Sequence, residues 1–452
     1  MNKQALAAVI LAAGRGTRMK SSKTKVLHEI GGRSMLAHVM DVAGEIDAQR
    51  ICVVIGDHAP EAGAAARAER ADAAIVVQAP PLGTGDAVRK AMPALDGFTG
   101  VVVILYADTP LIQPETLLAL AAEIEDGAAV AVLGFAPDDP GAYGRLKLGA
   151  DGSLEAIIEA KDASPEDLEI DFVNSGVMAV RSDFLARALP QLASNNAKGE
   201  YYLTDIVAIA RREGLTCAVM EADEDEVMGV NSRIELAVAE EIFQDRRRLA
   251  AMERGVTLID PSTVYFSFDT EIANDVVIEP NVYFGRGVSV ASGAVIKAFS
   301  HIEGAAIGES SAVGPFARLR PGAVLGREAK VGNFVEVKNT HVGAGAKISH
   351  LAYIGDARVG AEANIGAGAI TCNYDGFSKH ETEIGQGAFI GSNSALVAPV
   401  KIGKGAYVGS GSVITKNVED DALAVARGRQ SEIKGWAAKF RSIHAGKKKD
   451  KT

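Results

Sequence analysis

Between Ile272 and Ile414 large apolar residues return every six positions. The count runs through Ile272, Ile278, Phe284, Val290, Ile296 and Ile302, then resumes one residue early at Ile307, Val313, Leu319, Leu325, Val331 and Val337. Shorter steps lead to Val342, Ile348 and Ile354, and then to Val359 and Ile365. The phase is lost over Thr371–Glu383 and returns at Ile384, Ile390, Leu396, Ile402, Val408 and Ile414. A period of six fits neither a helix nor simple strand alternation over so long a run. It is the repeat of the hexapeptide parallel β-helix, in which each hexapeptide supplies one short strand and a corner. The aliphatic residue points inward, and glycines such as Gly332, Gly366, Gly391 and Gly409 ease the turn. A single coil cannot bury its own face, so coils must stack into one continuous apolar column. A sandwich with Gly-rich turns would not hold the phase for this long. A regular prism has no natural pocket. Chemistry is therefore expected at the break Thr371-Cys372-Asn373-Tyr374-Asp375-Gly376-Phe377-Ser378-Lys379 or where prisms meet. Flat faces also suit a closed ring of like chains.

The 452 residues exceed one core and suggest two or three domains, so a separate domain is expected ahead of the prism. There Ala7–Leu11 reads as a buried strand running into Ala12-Ala13-Gly14-Arg15-Gly16-Thr17-Arg18-Met19, a small-residue loop whose N–H groups suit phosphates. It lacks the spacing of a P-loop and of a dinucleotide fold. The short apolar start also has the look of a signal peptide, but a first strand is the better reading because it leads straight into this loop. Strands at Arg50–Ile55, Ala74–Gln78 and Val101–Leu105 alternate with helices at Pro60–Arg70 and from Leu82-Gly83-Thr84-Gly85 to about Met92. The alternation predicts an α/β domain with a mostly parallel sheet. Gly14, Gln78, Gly83 and Asp108 then fall at the carboxyl ends of strands, where ligands of such sheets bind. A lone carboxylate there, Asp108, suits Mg²⁺, which fills its other positions with water and substrate phosphates; alternatively Asp108 caps a helix.

Ser232–Arg254 has helical spacing and joins the two halves. Its Arg246-Arg247-Arg248 run and the terminal Lys447-Lys448-Lys449 read as solvated faces. The net charge of −11 gives no basic footprint for nucleic acid. Three scattered cysteines, Cys52, Cys217 and Cys372, offer neither a disulfide framework nor a metal site and fit a reducing cytoplasm. No stretch approaches the ~20 apolar residues of a membrane span. Within the prism, Arg320, Lys338, His350, Tyr353, Asn364, Asn373 and Tyr374 gather around the middle coils and the break. Arg320 and Lys338 stand one turn of three hexapeptides apart, so both can share a face and hold a phosphate. His350 is either a general base at neutral pH or a structural histidine.

Leu11–Met19 with Lys25-Val26-Leu27 resembles the signature of sugar-1-phosphate nucleotidyltransferases. Adding Leu82–Gly85, Tyr106-Ala107-Asp108, Asn174-Ser175-Gly176, Gly229-Val230-Asn231 and the hexapeptide half, the whole chain is similar to the bacterial bifunctional N-acetylglucosamine-1-phosphate uridylyltransferase/glucosamine-1-phosphate acetyltransferases. The resemblance implies a Rossmann-like uridylyltransferase domain over 1–231, a helical arm over 232–254 and a left-handed parallel β-helix over 255–452. It implies that Leu11, Ala12, Ala13, Gly14, Gln78, Gly83 and Thr84 hold the uridine nucleotide, with Arg18 and Lys25 on its phosphates. Asp108 and Asn231 would hold Mg²⁺, and Tyr106, Gly144, Glu159 and Asn174 would contact the N-acetylglucosamine part. In the prism it implies His350 as the base that deprotonates the amine of glucosamine-1-phosphate as it attacks acetyl-CoA. Arg320 and Lys338 would hold the sugar's phosphate, with Tyr353 and Asn364 on the sugar. Ala367, Asn373, Tyr374, Lys379, Ser392, Ser410 and Arg427 would line the acetyl-CoA site. Members of this family are cytoplasmic homotrimers joined through the prism, with acetyl-transfer sites between chains. Two alternatives remain: a nucleotidyltransferase whose prism only assembles it, and a non-catalytic scaffold.

Overall fold

The computed structural model describes residues 4–445, so Lys447-Lys448-Lys449 lies outside the described residues. Tertiary contacts divide the chain into two compact units, Met1–Ala250 with Phe266–Phe268, and Ala251–Tyr265 with Asp269–Thr452.

The first unit is built on a nine-stranded sheet. Its strands are β1 (Leu6–Ala12), β2 (Arg50–Gly56), β3 (Ala74–Gln78), β4 (Val101–Tyr106), β5 (Val130–Phe135), β6 (Arg145–Leu148), β7 (Leu154–Ile158), β8 (Val173–Arg181) and β9 (Cys217–Glu221). The order is β9-β5-β8-β4-β1-β2-β3, with the β6–β7 hairpin attached beside β8. Pairing is parallel except around β8 and within the β6–β7 hairpin, so the sheet is mixed but mostly parallel. β1 is buried along its whole length because both faces are covered. Leu6, Ala8 and Ile10 enter one core with helices α1 (Met35–Glu45), α2 (Pro60–Glu69) and, beyond them, Pro114–Glu125. Ala7, Val9 and Leu11 enter the other core with helix α3 (Thr84–Ala91). β1 lies between β4 and β2, where the strand order reverses, and its carboxyl end opens a crevice of the kind that binds ligands in α/β sheets.

The helix Arg233–Glu253 leaves this sheet, and within the first unit its Ala239, Leu236, Ile242 and Phe243 pack on Ile30, Met35, Leu111 and Val230. Gln244, almost fully buried, pins the chain's return by exchanging two hydrogen bonds with the backbone of Phe266 at 2.7 and 2.8 Å.

The second unit is the parallel prism. Short strands stack in register, Val277 on Val295, Val295 on Ala312 and Ala312 on Lys330, a turn of 17 or 18 residues that three hexapeptides require. The inward residues named from the sequence are buried, including Ile278, Ile296, Val313, Val331, Ile348, Ile390 and Val408. The parallel stacking is that of the left-handed hexapeptide β-helix. Glu336–Val342 and Tyr353–Val359 run unbroken around a corner and join two faces into one sheet. The excursion enters next to them: Asn364 pairs with Phe389 and Ala357 with Thr382, so the loop between is extruded without shifting the register of the later coils. Along one corner the rings of Phe299, Phe316 and Phe334, all in the left-handed region, stack 4.9 and 5.1 Å apart and stay half-exposed.

Candidate active sites

A cavity of about 290 Å³ lies at the carboxyl ends of β1 and β4. Its wall carries Leu11, Ala12, Ala13, Gly14, Lys25, Gln78, Gly83, Thr84, Tyr106 and Asp108 together with Pro81 and Glu200. The first ten come from four separate segments, which the sheet alone brings together. Asp108 caps no helix, since the next one begins at Pro114 with Gln113 before it. Its carboxylate instead makes a short ion pair with Lys25, and Lys25 Nζ also donates to Asn231 Oδ1 at 2.7 Å. Lys25 is buried, so this ammonium is the counter-charge of Asp108 in a partly dry site. Gly16 has φ +59, and a Cβ there would strike the Lys25 stem, so only glycine leaves the lysine its path to Asp108.

Two oxygens of different residues converging on one cation are the donor set of a hard metal. Among the described residues no three His, Cys, Asp or Glu side chains cluster as a cage. Any ion between Asp108 and Asn231 would draw its remaining ligands from water and substrate phosphates. Tyr106 is held far above the usual phenol range, first by burial and then by the charges of Asp108 and Glu159, so it stays a neutral hydrogen-bonding group. Thr84 Oγ1 accepts from Leu203 N at 3.2 Å. Gly144 O accepts from Asn174 N at 2.8 Å, and Asn174 Oδ1 accepts from Gly176 N at 2.9 Å. Glu159 belongs to a neighbouring acidic cavity of about 270 Å³ with Asp162, Tyr202 and Asp205. Arg18 is exposed and is not part of either cavity wall.

In the prism the site has two parts. The first is a corner column. Asn333 and His350 are in register, and Asn333 Oδ1 accepts from His350 Nδ1 at 2.6 Å. That bond places the proton on Nδ1 and leaves the Nε2 lone pair free to act as a base. The backbone carries the column on: Gly368 N donates to His350 O, Asn393 N to Ala367 O, Gly411 N to Ser392 O, and Arg427 Nη1 to Ser410 O at 2.6 Å. Ala367, Ser392, Ser410 and Arg427 therefore follow His350 from coil to coil, each step the ~4.8 Å of paired strands.

The second part centres on a residue that sequence reading passed over. Asp356 lies one turn beyond Asn339 and accepts from Asn339 Nδ2 at 2.7 Å, from Asn373 Nδ2 in a short bond, and pairs with Lys338 at 3.7 Å. Burial works to raise its carboxyl, but the bonds from Asn339 and Asn373 and the charges of Lys338 and Lys379 outweigh that and hold it below the usual range. Asn373 Nδ2 also reaches Tyr353 Oη at 3.4 Å. Lys379 approaches Lys338 closely enough that its own ammonium is held below the ordinary lysine range. Two ammonium groups thus share one carboxylate, leaving net positive charge for an anion. Arg320 donates to Glu336 Oε1 at 2.8 Å and stands in line with Lys338 of the next coil. Asn364, half-buried, sits in register with Lys347 and Phe389. The excursion is a closed turn: Asp375 accepts from Phe377 N, Ser378 N and His380, and Tyr374 donates to Gly376 O. The register was the signal for Asn333, which precedes His350 by one turn, whereas Asp356 follows Asn339 by one turn and so had no named residue to point to it. A cavity of about 710 Å³ in the prism runs past His341, Arg358 and Lys401 and includes none of these residues.

A family model described as MobA-like NTP transferase domain matches residues 8–197, and one described as bacterial transferase hexapeptide matches 381–416. The bifunctional protein GlmU of Azorhizobium caulinodans is 56% identical over 442 residues, covering 98% of both chains. The GlmU of Paramagnetospirillum magneticum is 55% identical over 448 residues, 99% of each, and that of Caulobacter vibrioides 54% over 448 residues, 98% of this chain and 97% of its own. No helix among the described residues is long and apolar enough to cross a membrane. With both halves matched in order and over nearly the whole length, the chain belongs to the family of bifunctional GlmU proteins.

Proposed function

We propose that this enzyme performs both final steps of UDP-N-acetylglucosamine synthesis. The second unit acetylates glucosamine-1-phosphate with acetyl-CoA, and the first joins the product to UMP from UTP. The observation that carries the reading is that two unlike constellations occur in one chain. One is a lysine, a carboxylate and a carboxamide under a small-residue loop, and the other comprises an oriented histidine and a paired-lysine cluster on the same prism.

In the first unit an oxygen of the sugar phosphate attacks the α-phosphorus of UTP in line, and pyrophosphate leaves. Asp108 and Asn231 would hold Mg²⁺, which supplies neutralising charge to the phosphates. Leu11–Gly14 cradle the nucleotide. Lys25 stands within reach of the phosphate it would neutralise and of Asp108. Tyr106, Gly144, Glu159 and Asn174 contact the acetylated sugar, and Arg18 reaches the phosphates from the loop. No protein nucleophile is required, because positioning and charge carry the step.

In the second unit His350 Nε2 takes a proton from the amine as its nitrogen attacks the thioester carbonyl. The C–S bond breaks, and His350 passes the proton it took to the leaving thiolate, so that coenzyme A departs as the thiol. Arg320, Lys338 and Lys379 draw the phosphate, Tyr353 and Asn364 hold the sugar, and Asn373, Tyr374, Ala367, Ser392, Ser410 and Arg427 hold acetyl-CoA. The exposed prism column suits a homotrimer that closes this site between chains. The enzyme works in the cytoplasm. The test is a coupled assay with glucosamine-1-phosphate, acetyl-CoA, UTP and Mg²⁺, following thiol and pyrophosphate separately. Pyrophosphate release that depends on prior acetylation supports the reading. Pyrophosphate only when N-acetylglucosamine-1-phosphate is supplied would leave the prism without acetyl transfer.

A further inference from the structure

The orientation of one buried side-chain amide carries an inference about base selection. Gln78, at the end of β3, donates from Nε2 to Gly83 O and to Asp86 Oδ2, both at 2.9 Å. Gln78 and Asp86 are 4% and 5% exposed, so bulk water has no room to turn the amide. Asp86 is a carboxylate and the Gly83 group a carbonyl, and both only accept. The reverse orientation would set the Gln78 oxygen against two other acceptors. The oxygen is therefore committed elsewhere. Gln78 Oε1 accepts nothing among the described residues, and it is not one of the sealed, unpartnered atoms, so it faces the cavity. Gly83, with φ +104 at the head of α3, offers its N–H on the same wall, and that N–H has no acceptor among the described residues. Asp86 itself sits in the first turn of α3.

The wall thus presents one fixed acceptor beside one fixed donor. Uracil presents the complement, an N3–H next to a carbonyl oxygen. Cytosine presents the opposite, a bare N3 next to an amino group. We propose that Asp86 is a specificity-determining residue, which locks the Gln78 carboxamide with its oxygen toward the pocket so that the site accepts uridine and rejects cytidine nucleotides. It acts through Gln78 and is a positioning residue. The proposal rests on the uridylyltransferase reading above and adds the residue that sets the base preference.

The full-length enzyme is assayed for pyrophosphate release with UTP and with CTP, N-acetylglucosamine-1-phosphate and Mg²⁺ being supplied. In Asp86→Asn the new carboxamide can turn to donate to Gln78, which frees Gln78 to present its amide hydrogens. The ratio of kcat/KM for UTP over CTP is expected to fall by about tenfold or more in Asp86→Asn and in Asp86→Ala. A purely structural role would lower both substrates alike and leave the ratio unchanged, which overturns the proposal. A second measurement needs no variant. A UTP methylated at N3 lacks the donor, and the unmodified enzyme is expected to use it at least about tenfold less well than UTP. Equal use of the two overturns the proposal and leaves the uridylyltransferase reading standing. No pyrophosphate from UTP in the unmodified enzyme overturns that reading, and this proposal with it.

Discussion

The two units make their sites in opposite ways. In the first, a cavity is assembled from chain segments that are distant in sequence and meet only because β1 lies at the reversal of strand order. In the second, the site is a ladder built from stacked turns, on which His350 and Lys379 are exposed while Lys338, Asp356 and Asn373 are largely covered. A cavity can bury a lysine against a carboxylate and use the low dielectric. The ladder sets Lys338 against Asp356 in the same way and adds the cations of Lys379 and Arg320 beside them. The first arrangement depends on a whole fold, the second on keeping count.

The sharpest way to break this comparison is to disable each site alone. His350→Ala is expected to lower acetyl transfer by about 100-fold or more while uridylyl transfer persists, and Asp108→Ala to do the reverse by a similar factor. Thiol and pyrophosphate release report the two, and loss of both in either folded variant would end the two-site assignment. A smaller effect is expected from Asp356→Ala, which removes the shared acceptor of Asn339, Asn373 and Lys338. The second unit should lose about 2 kcal/mol in denaturant unfolding, with the first unit's transition unmoved. An unchanged midpoint would show that the ladder needs no hub. Thr371→Val tests the ladder more gently. Thr371 Oγ1 accepts from Gly355 N at 2.8 Å in the interior, and its loss should cost about 1 kcal/mol, read from the same transition.

The smallest expected effect is on pH dependence. Lys338 beside Lys379 lowers the Lys379 pKa, so the protonated form is disfavoured in the fold. The repulsion is present at neutral pH and fades as pH rises through the lowered pKa, and one of the two cations is lost with it. The KM for glucosamine-1-phosphate should therefore begin to rise below the ordinary lysine range of about 10.4, and Lys379→Met should erase that limb. A limb that persists in Lys379→Met assigns it to another group.

The prism was legible to the residue, because a period of six repeated from Ile272 to Ile414 has one physical solution, and the aliphatic positions are buried as the period requires. The strands of the first unit were legible where apolar runs were continuous, as at Val101–Leu105. Side-chain partnerships were less so. Nothing local says that Asp86 holds Gln78 or that Lys25 bridges Asp108 and Asn231, since these bonds cross between segments that only the sheet aligns. In the prism the failure was different. Asn333 sat one turn from His350 and was reachable by counting, while Asp356 sat one turn from Asn339, which nothing in the sequence singles out. Arg18 stood in the right motif, yet the loop carries its side chain outside the cavity wall.

The register of the coils has a consequence for change in chain length. With turns of 17 or 18 residues stacked strand on strand, removing one whole turn would leave every later side chain on its own face. Removing one hexapeptide would rotate everything downstream by a face, carrying the Lys338 position away from the Arg320 row while the core stayed apolar. Removing a single residue from a turn of 18 would leave one of 17, a length the coil already accommodates with its apolar positions still inward. The excursion after Thr371 obeys the same arithmetic, because it leaves and re-enters the coil at one point and changes no phase beyond it. Such a fold can lengthen by whole turns or by side loops, and its active surface is inherited intact in both cases.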